Sequence, residues 1–239
     1  DGVDYFYQTG MARAELRSAL KPLADLERLT NRIVAGYAMP RDLVSLRATL
    51  EEIPKIQNLF LDEVPALARA LSLLSPCEQE LGLLHHAIPP EPPATLQNIG
   101  VIREGYAEEL DNILDSTRHA REWIANLESI EKKRTGIKTL KVGYNKVYGY
   151  YISLTKAVVD MAPEHYIRKQ TLVNAERYIT PELKEYETLV LNAEERIHDV
   201  EARLFRDVCK KLSQSAPRLL QSARALAELD AYAALAESA

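Results

Sequence analysis

Apolar residues recur every three or four positions along most of the chain, the spacing that places them on one face of a helix. In the first half, the stretches MARAELRSAL, LADLERLTNRIVAG, RDLVSLRATLEEI, PALARALSLL and EQELGLLHHAI each predict a helix. Gly36 suits the end of the second of these helices, and Pro40 suits the first turn of the third. Four prolines in IPPEPPAT, residues 88–95, predict a rigid connector. A final helix is predicted from near Pro217, with an apolar face from Leu219 to Leu235.

Two longer segments carry heptad-like seams, in which apolar residues alternate between spacings of three and four. They cover residues 106–127 and 183–204. A helix through the first seam is predicted to continue to about Arg134, a length of about 40 Å. Thr180 is a suitable N-cap for the second helix, and Pro181 suits its first position. The simplest arrangement of the two helices is antiparallel and side by side.

Between the two seams the period of the pattern changes to two. Residues 139–144 and 151–155 alternate in side-chain type and are rich in β-branched and aromatic residues, which predicts two strands joined by a turn from Asn145 to Gly149. YIRKQTL and AERYIT predict two more strands, joined around residues 173–174. The predicted fold class is mainly α, with a helical core and two long antiparallel helices that carry a small antiparallel β-sheet at their tip.

Charge is distributed unevenly along the chain. Residues 132–177 contain ten Lys/Arg and three Asp/Glu, a net charge of +7, whereas the whole chain carries −5. Cations and neutral donors of the types found there contact nucleic-acid phosphates without reading sequence. The charge alone fits a solvated basic face about as well as it fits contact with nucleic acid. Six of the twelve tyrosines lie between residues 144 and 178, and packing within the small sheet is a better interpretation for them than base stacking.

Other candidate chemistry is sparse. Cys77 and Cys209 are isolated thiols, which favours a reduced intracellular compartment and argues against a metal site. His85 and His86 are adjacent, so on a helix they point about 100° apart instead of sharing a ligand. The chain has no GxSxG, HExxH, GxGxxG or GxxxxGK[ST] motif, and no apolar run near the length of about 20 residues that spans a membrane. We therefore expect no catalysis, cofactor, metal or membrane partner, and the start at Asp1 favours an excised fragment.

The segments LKVGYNKVYGYYISLTKA and YIRKQTLVNAERYITPELKEYETLVLNAEERI strongly resemble the MutS family of DNA mismatch-repair proteins. The resemblance extends to LRSALKPLADLERLTNRI, PRDL, IREGYAEELD and ALAELD, and so covers nearly the whole chain. The chain resembles the bacterial mismatch-recognition branch of that family. The resemblance implies a helical core and ascending lever over residues 1–120, a clamp with the lever end over 121–180, and a descending lever with the return to the core over 181–239.

The resemblance also implies a function and partners. The clamp would grip the backbone of double-stranded DNA, and the levers would link that grip mechanically to an ATPase domain. A second MutS subunit and MutL would be partners of the full-length protein, which would be cytoplasmic and nucleoid-associated. Because the stretch TLVNAER matches DNA-facing residues of the family's clamp, Asn174 and Arg177 are predicted phosphate contacts.

Six further residues complete the predicted DNA-binding set, on the basis of charge, donor chemistry and position. One of them opens the matched stretch, three lie just before it, and two lie in the first turn of the predicted sheet: Thr171, then Gln170, Lys169 and Arg168, then Lys146 and Asn145.

The sequence also departs from the family pattern. In the family's mismatch reader, a phenylalanine is followed two residues later by glutamate. None of the phenylalanines of this chain, Phe6, Phe60 and Phe205, is followed by glutamate in this way. This chain should therefore neither recognise a mismatch nor hydrolyse ATP, and ATP and Mg²⁺ would belong to the ATPase domain of the parent protein. Two alternatives stay open: a helical scaffold whose basic tip docks an acidic protein, and an enzyme that uses a tip tyrosine as its nucleophile.

Overall fold

A computed structural model describes residues 1–60 and 64–239, and the part of the predicted helical core at 61–63 lies outside the described residues. The chain forms two compact units. Unit 1 comprises residues 1–106 and 200–239, and unit 2 comprises residues 107–199. The predicted domain boundaries at 120/121 and 180/181 stay a prediction. The two units group residues by their packing and do not test where a core, a lever and a clamp would meet.

Unit 1 is helical, as predicted from the spacing of its apolar residues. The helices are α1 (Gly2–Gln8), α2 (Gly10–Leu20), α3 (Leu26–Val34), α4 (Pro40–Asn58), α5 (Ala68–Leu73), α6 (Glu78–Ala87), residues 200–214 of α8 (Pro181–Gln214) and α9 (Ala216–Ser238). Helix α3 ends where expected, since Gly36 adopts a φ of +75° just after its C-cap. Pro40 occupies the first position of α4, and residues 88–95 form no helix.

The core of unit 1 forms around α9, which packs against α1, α2, α3 and α5. Leu219 and Leu229 are fully buried on its inner face. A Cβ on Gly2 of α1 would overlap the ring of Tyr232, so only glycine permits this close approach of α1 to α9. The predicted apolar face of α9 is wrong at Leu235, whose side chain is 57% exposed, because the last turns of α9 bury alanines instead.

Unit 2 contains two long helices that lie antiparallel. They are α7 (Glu108–Thr135), about 42 Å long, and residues 181–199 of α8. The ring of Trp123 stacks on that of Tyr186 with centroids 4.3 Å apart, and Arg121 lies 3.9 Å from Glu194. Thr180 caps α8 as predicted, since its Oγ1 accepts from the backbone N–H of Leu183 at 3.0 Å.

The predicted seam of α7 is confirmed from Leu110 to Leu127 and wrong at its first position. Six seam residues of α7 are buried: Leu110, Ile113, Thr117, Ala120, Ile124 and Leu127. Tyr106 precedes the helix, whose N-cap is Ala107, and its ring packs edge-on against His86. Gly105, with a φ of +91°, turns the chain just before this point, so the helical period does not extend back to Tyr106.

A four-stranded antiparallel sheet follows α7, and all four predicted strands are confirmed. The strands are β1 (Lys141–Asn145), β2 (Gly149–Thr155), β3 (Ile167–Thr171) and β4 (Ala175–Ile179), with a 3₁₀-helix at Lys156–Met161. Their order across the sheet is β1-β2-β4-β3, which leaves β1 and β3 as edges. The predicted mainly α fold with a small β-sheet is therefore the fold observed.

One face of the sheet packs against α7 and α8. Its buried cluster contains residues of both helices, of the strands and of the segments beside them: Ile124, Leu127, Ile137, Leu140, Ile152, Leu154, Tyr166, Tyr178 and Leu183. Among the tyrosines of this region, packing is confirmed for Tyr166 and Tyr178, whereas Tyr144 and Tyr148 are 52% and 48% exposed. Among the described residues, no helix combines the length and apolar character needed to cross a membrane.

Candidate nucleic-acid interface

The face of the sheet turned away from the helices, here called the outer face, carries a polar row across all four strands. Val142, Ile152 and Tyr178 stand opposite one another and point to the helices. Because side chains alternate along a strand, their neighbours point to the outer face. Pairing places four residues in one cross-strand row: Lys141, Ser153, Arg177 and Gln170.

A β-bulge decides which residue of β3 stands opposite Arg177. The register shifts between Arg168, which pairs with Tyr178, and Gln170, which pairs with Arg177. Without the shift, Lys169 would stand opposite Arg177, and like charges in that position destabilise a sheet. With the shift, Arg177 Nη1 donates to Gln170 Oε1 at 2.9 Å, and Lys169 remains exposed.

Arg177 also lies over an aromatic ring. Its guanidinium carbon is 4.2 Å from the centroid of the Tyr151 ring, a cation–π geometry. The ring in turn lies against Gly143 of β1, where a Cβ would come within 2.7 Å of the phenol oxygen. Arg177 Nε is buried without a hydrogen-bond partner, and among the described residues no carboxylate lies within 4.0 Å of this guanidinium. Its positive charge is therefore positioned without being neutralised.

Arg168 differs from Arg177 in this respect. Its Nη1 lies 3.6 Å from Glu176 Oε1 on the face that packs against the helices. Glu176 also accepts from the hydroxyl of Tyr178 at 2.7 Å. Burial, and then this hydrogen bond, raise the pKa of Tyr178 to about 12. A carboxylate thus partly offsets the charge of Arg168.

The turn between β3 and β4 presents exposed polar residues. Thr171 and Asn174 are both exposed, and Val173 at the tip is 86% exposed. The Leu172 N–H donates to the Ala175 carbonyl at 2.8 Å, which closes the turn. The Asn174 carbonyl accepts from the Lys156 N–H at 3.1 Å, so the 3₁₀-helix begins beside this turn.

Lys156 is a residue that sequence reasoning left out of the predicted DNA-binding set. It is exposed and has no carboxylate within 4.0 Å among the described residues. Lys156 lies beside Asn174 because of a backbone hydrogen bond between residues that are 18 positions apart in the chain. No local sequence pattern predicts that hydrogen bond. In the sequence, only its position within the basic segment at residues 132–177 pointed to Lys156 as a DNA contact.

The other two predicted residues lie at the opposite end of the sheet. Asn145 Oδ1 accepts from the N–H groups of Val147 and Tyr148, at 2.8 and 3.3 Å, and so stabilises the β1–β2 turn that carries Lys146. Strand β2 begins at Gly149 beside this turn and ends at Thr155, which pairs with Ala175 beside the other turn. Six residue steps of about 3.3 Å separate the turns by about 20 Å.

The predicted DNA-binding residues therefore fall into two groups. The β1–β2 group consists of Asn145 and Lys146. The β3–β4 group contains the remaining six: Arg168, Lys169, Gln170, Thr171, Asn174 and Arg177.

The sheet is fixed to α7 by carboxylates of the helix. Glu128 Oε2 accepts from the Val142 N–H at 3.0 Å, and hydrogen bonds, first from Lys132 and then from this amide, lower the pKa of Glu128. Glu131 is buried, accepts from the hydroxyl of Tyr166 at 2.5 Å and pairs with Arg134 at 2.8 Å. Burial, followed by the hydrogen bond to Glu131, raises the pKa of Tyr166 well above its usual value. A nucleophilic tyrosine needs the opposite shift.

The remaining candidate groups have structural partners. His85 Nε2 lies 3.0 Å from Glu51, and the ring of His86 packs against Tyr106. Cys77 is buried and Cys209 is partly buried, and burial raises the pKa of both thiols. Within residues 1–60 and 64–239, no group of three His, Cys, Asp or Glu side chains is arranged to hold a metal ion.

Comparison with known proteins gives matches over the whole chain. Residues 105–196 match the model described as MutS family domain IV. The chain is 45% identical over 238 residues to the DNA mismatch repair protein MutS of Dehalococcoides mccartyi (strain 195), covering 99% of this chain and 28% of that protein. It is 47% identical over 231 residues to the MutS of Pelotomaculum thermopropionicum, covering 96% of this chain and 27% of that protein.

The chain thus spans about 28% of the length of the curated relatives it matches. The family-model match covers the sheet, α7 and the first turns of α8. These matches identify the chain as a member of the MutS family, with domain IV at residues 105–196.

Proposed function

We propose that unit 2 holds double-stranded DNA by its phosphate backbone without reading the base sequence. The observation that carries this proposal is the guanidinium of Arg177, which is oriented by Tyr151 and Gln170 and has no carboxylate near it among the described residues. An ordered, uncompensated guanidinium on an exposed sheet face suits a phosphate oxygen. The relatives' name, DNA mismatch repair protein MutS, agrees with DNA as the ligand.

The β3–β4 group supplies the main contacts of this proposed interface. Lys169, Thr171 and Asn174 are exposed on β3 and in the turn after it, and Lys156 adds a further cation beside Asn174. Lysines, hydroxyls and amides contact phosphate oxygens and carry no base-specific pattern by themselves. The proposed grip is therefore independent of sequence.

The β1–β2 group contributes less in this proposal. Asn145 already uses its Oδ1 to hold its own turn, which leaves Lys146 as the cation at that end. At a separation of about 20 Å, Lys146 would reach phosphates about six base-pair steps from those at the other turn, since successive phosphates of one strand lie about 3.4 Å apart along the axis. Lys146 would thus contact the same duplex at phosphates different from those that the β3–β4 group contacts.

A mechanical role for the long helices extends the proposal to the full-length protein. Close-packed helices deform little, so the pair formed by α7 and α8 in unit 2 can carry a tilt of the sheet along its length. In the full-length protein this motion would reach an ATPase domain, with a second MutS subunit and MutL as partners. No GxxxxGK[ST] loop occurs in the chain, so no residue of it is assigned to ATP or Mg²⁺.

A matched pair of double variants tests the grip. Asn174→Ala with Arg177→Ala removes the two strongest predicted contacts, whereas Asn126→Ala with Arg121→Ala removes the same residue types from exposed positions of α7. Binding to a fluorescent duplex of about 30 base pairs, three helical turns, is measured by anisotropy at about 50 mM salt. We expect about tenfold weaker binding for the first variant and little change for the second.

The same measurement separates the proposal from a basic scaffold that docks acidic proteins. Poly-glutamate is added as a competitor at the charge concentration of the duplex. Displacement of the duplex by equal charge would favour the acidic-protein partner. Equal binding by both double variants, or no binding by the parent chain, would contradict the proposed grip.

A further inference from the structure

The side chain of Tyr151 joins β1, β2 and β4 on the outer face. Its ring lies against Gly143 of β1, where any larger residue would meet the phenol, and the guanidinium of Arg177 from β4 lies over the ring. Tyr151 stands diagonally to Arg177, because Ser153 is the direct partner of Arg177. A glycine on one strand thus lets an aromatic ring lie where it can support an arginine two strands away.

Gln170 completes the support from the other side. The β-bulge of β3 places its amide opposite Arg177, and its Oε1 accepts from Nη1 at 2.9 Å. An amide oxygen orients a guanidinium but carries no charge to neutralise it. Nε is buried without a partner, and Nη2 has no hydrogen-bond partner among the described residues. The free donors are therefore at the Nη2 edge.

We propose that Tyr151 and Gln170 are positioning residues, which hold Arg177 so that its Nη2 edge meets a DNA phosphate while neither contacts the DNA itself. This inference rests on the proposed function. It changes the role expected for Gln170 from a phosphate contact to a support, and it assigns Tyr151 a role that its sequence pattern did not indicate. An exposed arginine loses much side-chain freedom when it binds, whereas a stacked and hydrogen-bonded one has lost it already.

The test uses variants that separate the ring from its hydroxyl. Tyr151→Phe keeps the ring under Arg177, and Tyr151→Leu removes it. Tyr148→Leu makes the same change at an exposed tyrosine beside the β1–β2 turn, at the other end of the sheet. All are made in the 239-residue chain.

The first readout is the ¹H–¹⁵N signal of Arg177 Nε, assigned by its loss in Arg177→Lys. A proton above an aromatic face is shifted upfield by the ring current, so the parent, Tyr151→Phe and Tyr148→Leu should show an upfield signal that Tyr151→Leu lacks. A signal unchanged in Tyr151→Leu would overturn the support by the ring.

The second readout is duplex affinity as a function of salt. Tyr151→Leu should bind about two- to fivefold more weakly, the range expected for losing a cation–π contact, while Tyr151→Phe and Tyr148→Leu bind as the parent does. Its slope of log K against log salt should also become shallower, by at most about 0.9, the contribution of one phosphate.

The combined outcomes distinguish this inference from the proposed function. If the parent binds duplex and Tyr151→Leu loses the upfield signal yet keeps its affinity and salt slope, Tyr151 supports the sheet only and the positioning role is wrong. If the parent shows the upfield signal but binds no duplex, the proposed function fails, and the positioning of Arg177 for a phosphate fails with it.

Discussion

The backbone of Gly149 lies directly against the buried carboxylate of Glu187. A Cβ at this position would overlap that carboxylate, and the φ of Gly149 is +78°, a conformation that other residues adopt only with strain. Lys184 pairs with Glu187 at 2.9 Å and also donates to the Tyr148 carbonyl at 3.2 Å. The β1–β2 turn is thus fixed to the first turns of α8.

Gly149→Ala should therefore destabilise unit 2 more than a glycine replacement that costs backbone strain alone. Gly136→Ala is the matched control, because Gly136 has a φ of +74° in the same unit and a Cβ added there would meet open space. We expect a loss of about 1 kcal/mol for Gly136→Ala and about 2 to 4 kcal/mol for Gly149→Ala. Urea unfolding followed by fluorescence of Trp123, the single tryptophan, measures both. Equal losses would show that the Glu187 contact is unimportant.

The stability of unit 2 should fall at alkaline pH. Burial and hydrogen bonds to carboxylates raise the pKa of Tyr166 and Tyr178 in the folded chain above the ordinary phenol value of 10.0. The unfolded chain releases these protons first, so the stability that the two tyrosines contribute is fully present below about pH 10 and is lost as the pH rises from 10 towards 12. A double Tyr166→Phe, Tyr178→Phe variant should show a smaller loss across that range in the same urea assay. If the double variant lost as much stability as the parent, the titration of groups other than these two tyrosines would be the cause.

The two arginines of the β3–β4 group should differ in their contribution to DNA affinity. Glu176 lies 3.6 Å from Arg168, whereas no described carboxylate lies within 4.0 Å of Arg177. Arg177→Ala should make the salt slope of duplex binding shallower by about 0.9, and Arg168→Ala should change it less, because the Glu176 charge already offsets Arg168. Fluorescence anisotropy at several salt concentrations measures both slopes. A larger effect of Arg168→Ala would reverse this assignment.

Periodicity predicted the elements of this chain because each buries one face. The seam from Leu110 to Leu127 and the alternation through Ile152 and Leu154 both mark side chains that are now buried. The same reasoning failed at Leu235, where helical spacing continues although the side chain is largely exposed. Local pattern shows which face is apolar, but not where the packing partner ends.

The arrangement of the site depended on strand register, which composition does not contain. The basic segment and TLVNAER pointed to the sheet and its β3–β4 turn, yet the bulge that exchanges Lys169 for Gln170 opposite Arg177 is a property of the β3–β4 pairing. The separation of Lys146 from Asn174 likewise follows from the antiparallel order of the strands. Tyr151 looked like any other tyrosine of the sheet until its diagonal contact with Arg177 was known.

Weakening α7 should uncouple the sheet from the rest of a full-length MutS that contains this chain. Asn112→Gly with Leu114→Gly places two glycines within α7, each costing about 1 kcal/mol of helix stability. Asn98→Gly with Leu96→Gly removes the same residue types outside any helix and serves as the control. We expect the α7 variant to bind duplex about as well as the parent while its ATPase activity responds less to DNA. An unchanged response in the α7 variant would contradict the lever role.

The salt dependence of duplex binding tests the central claim most directly. Affinities of the 239-residue chain for a matched duplex and for the same duplex with one mismatch are measured between about 50 and 200 mM salt. If the chain grips about five phosphates, log K should fall with log salt at a slope near −4 to −5 for both duplexes, with equal affinities. A flat salt response, or a preference for the mismatched duplex, would contradict a sequence-independent grip on the DNA backbone.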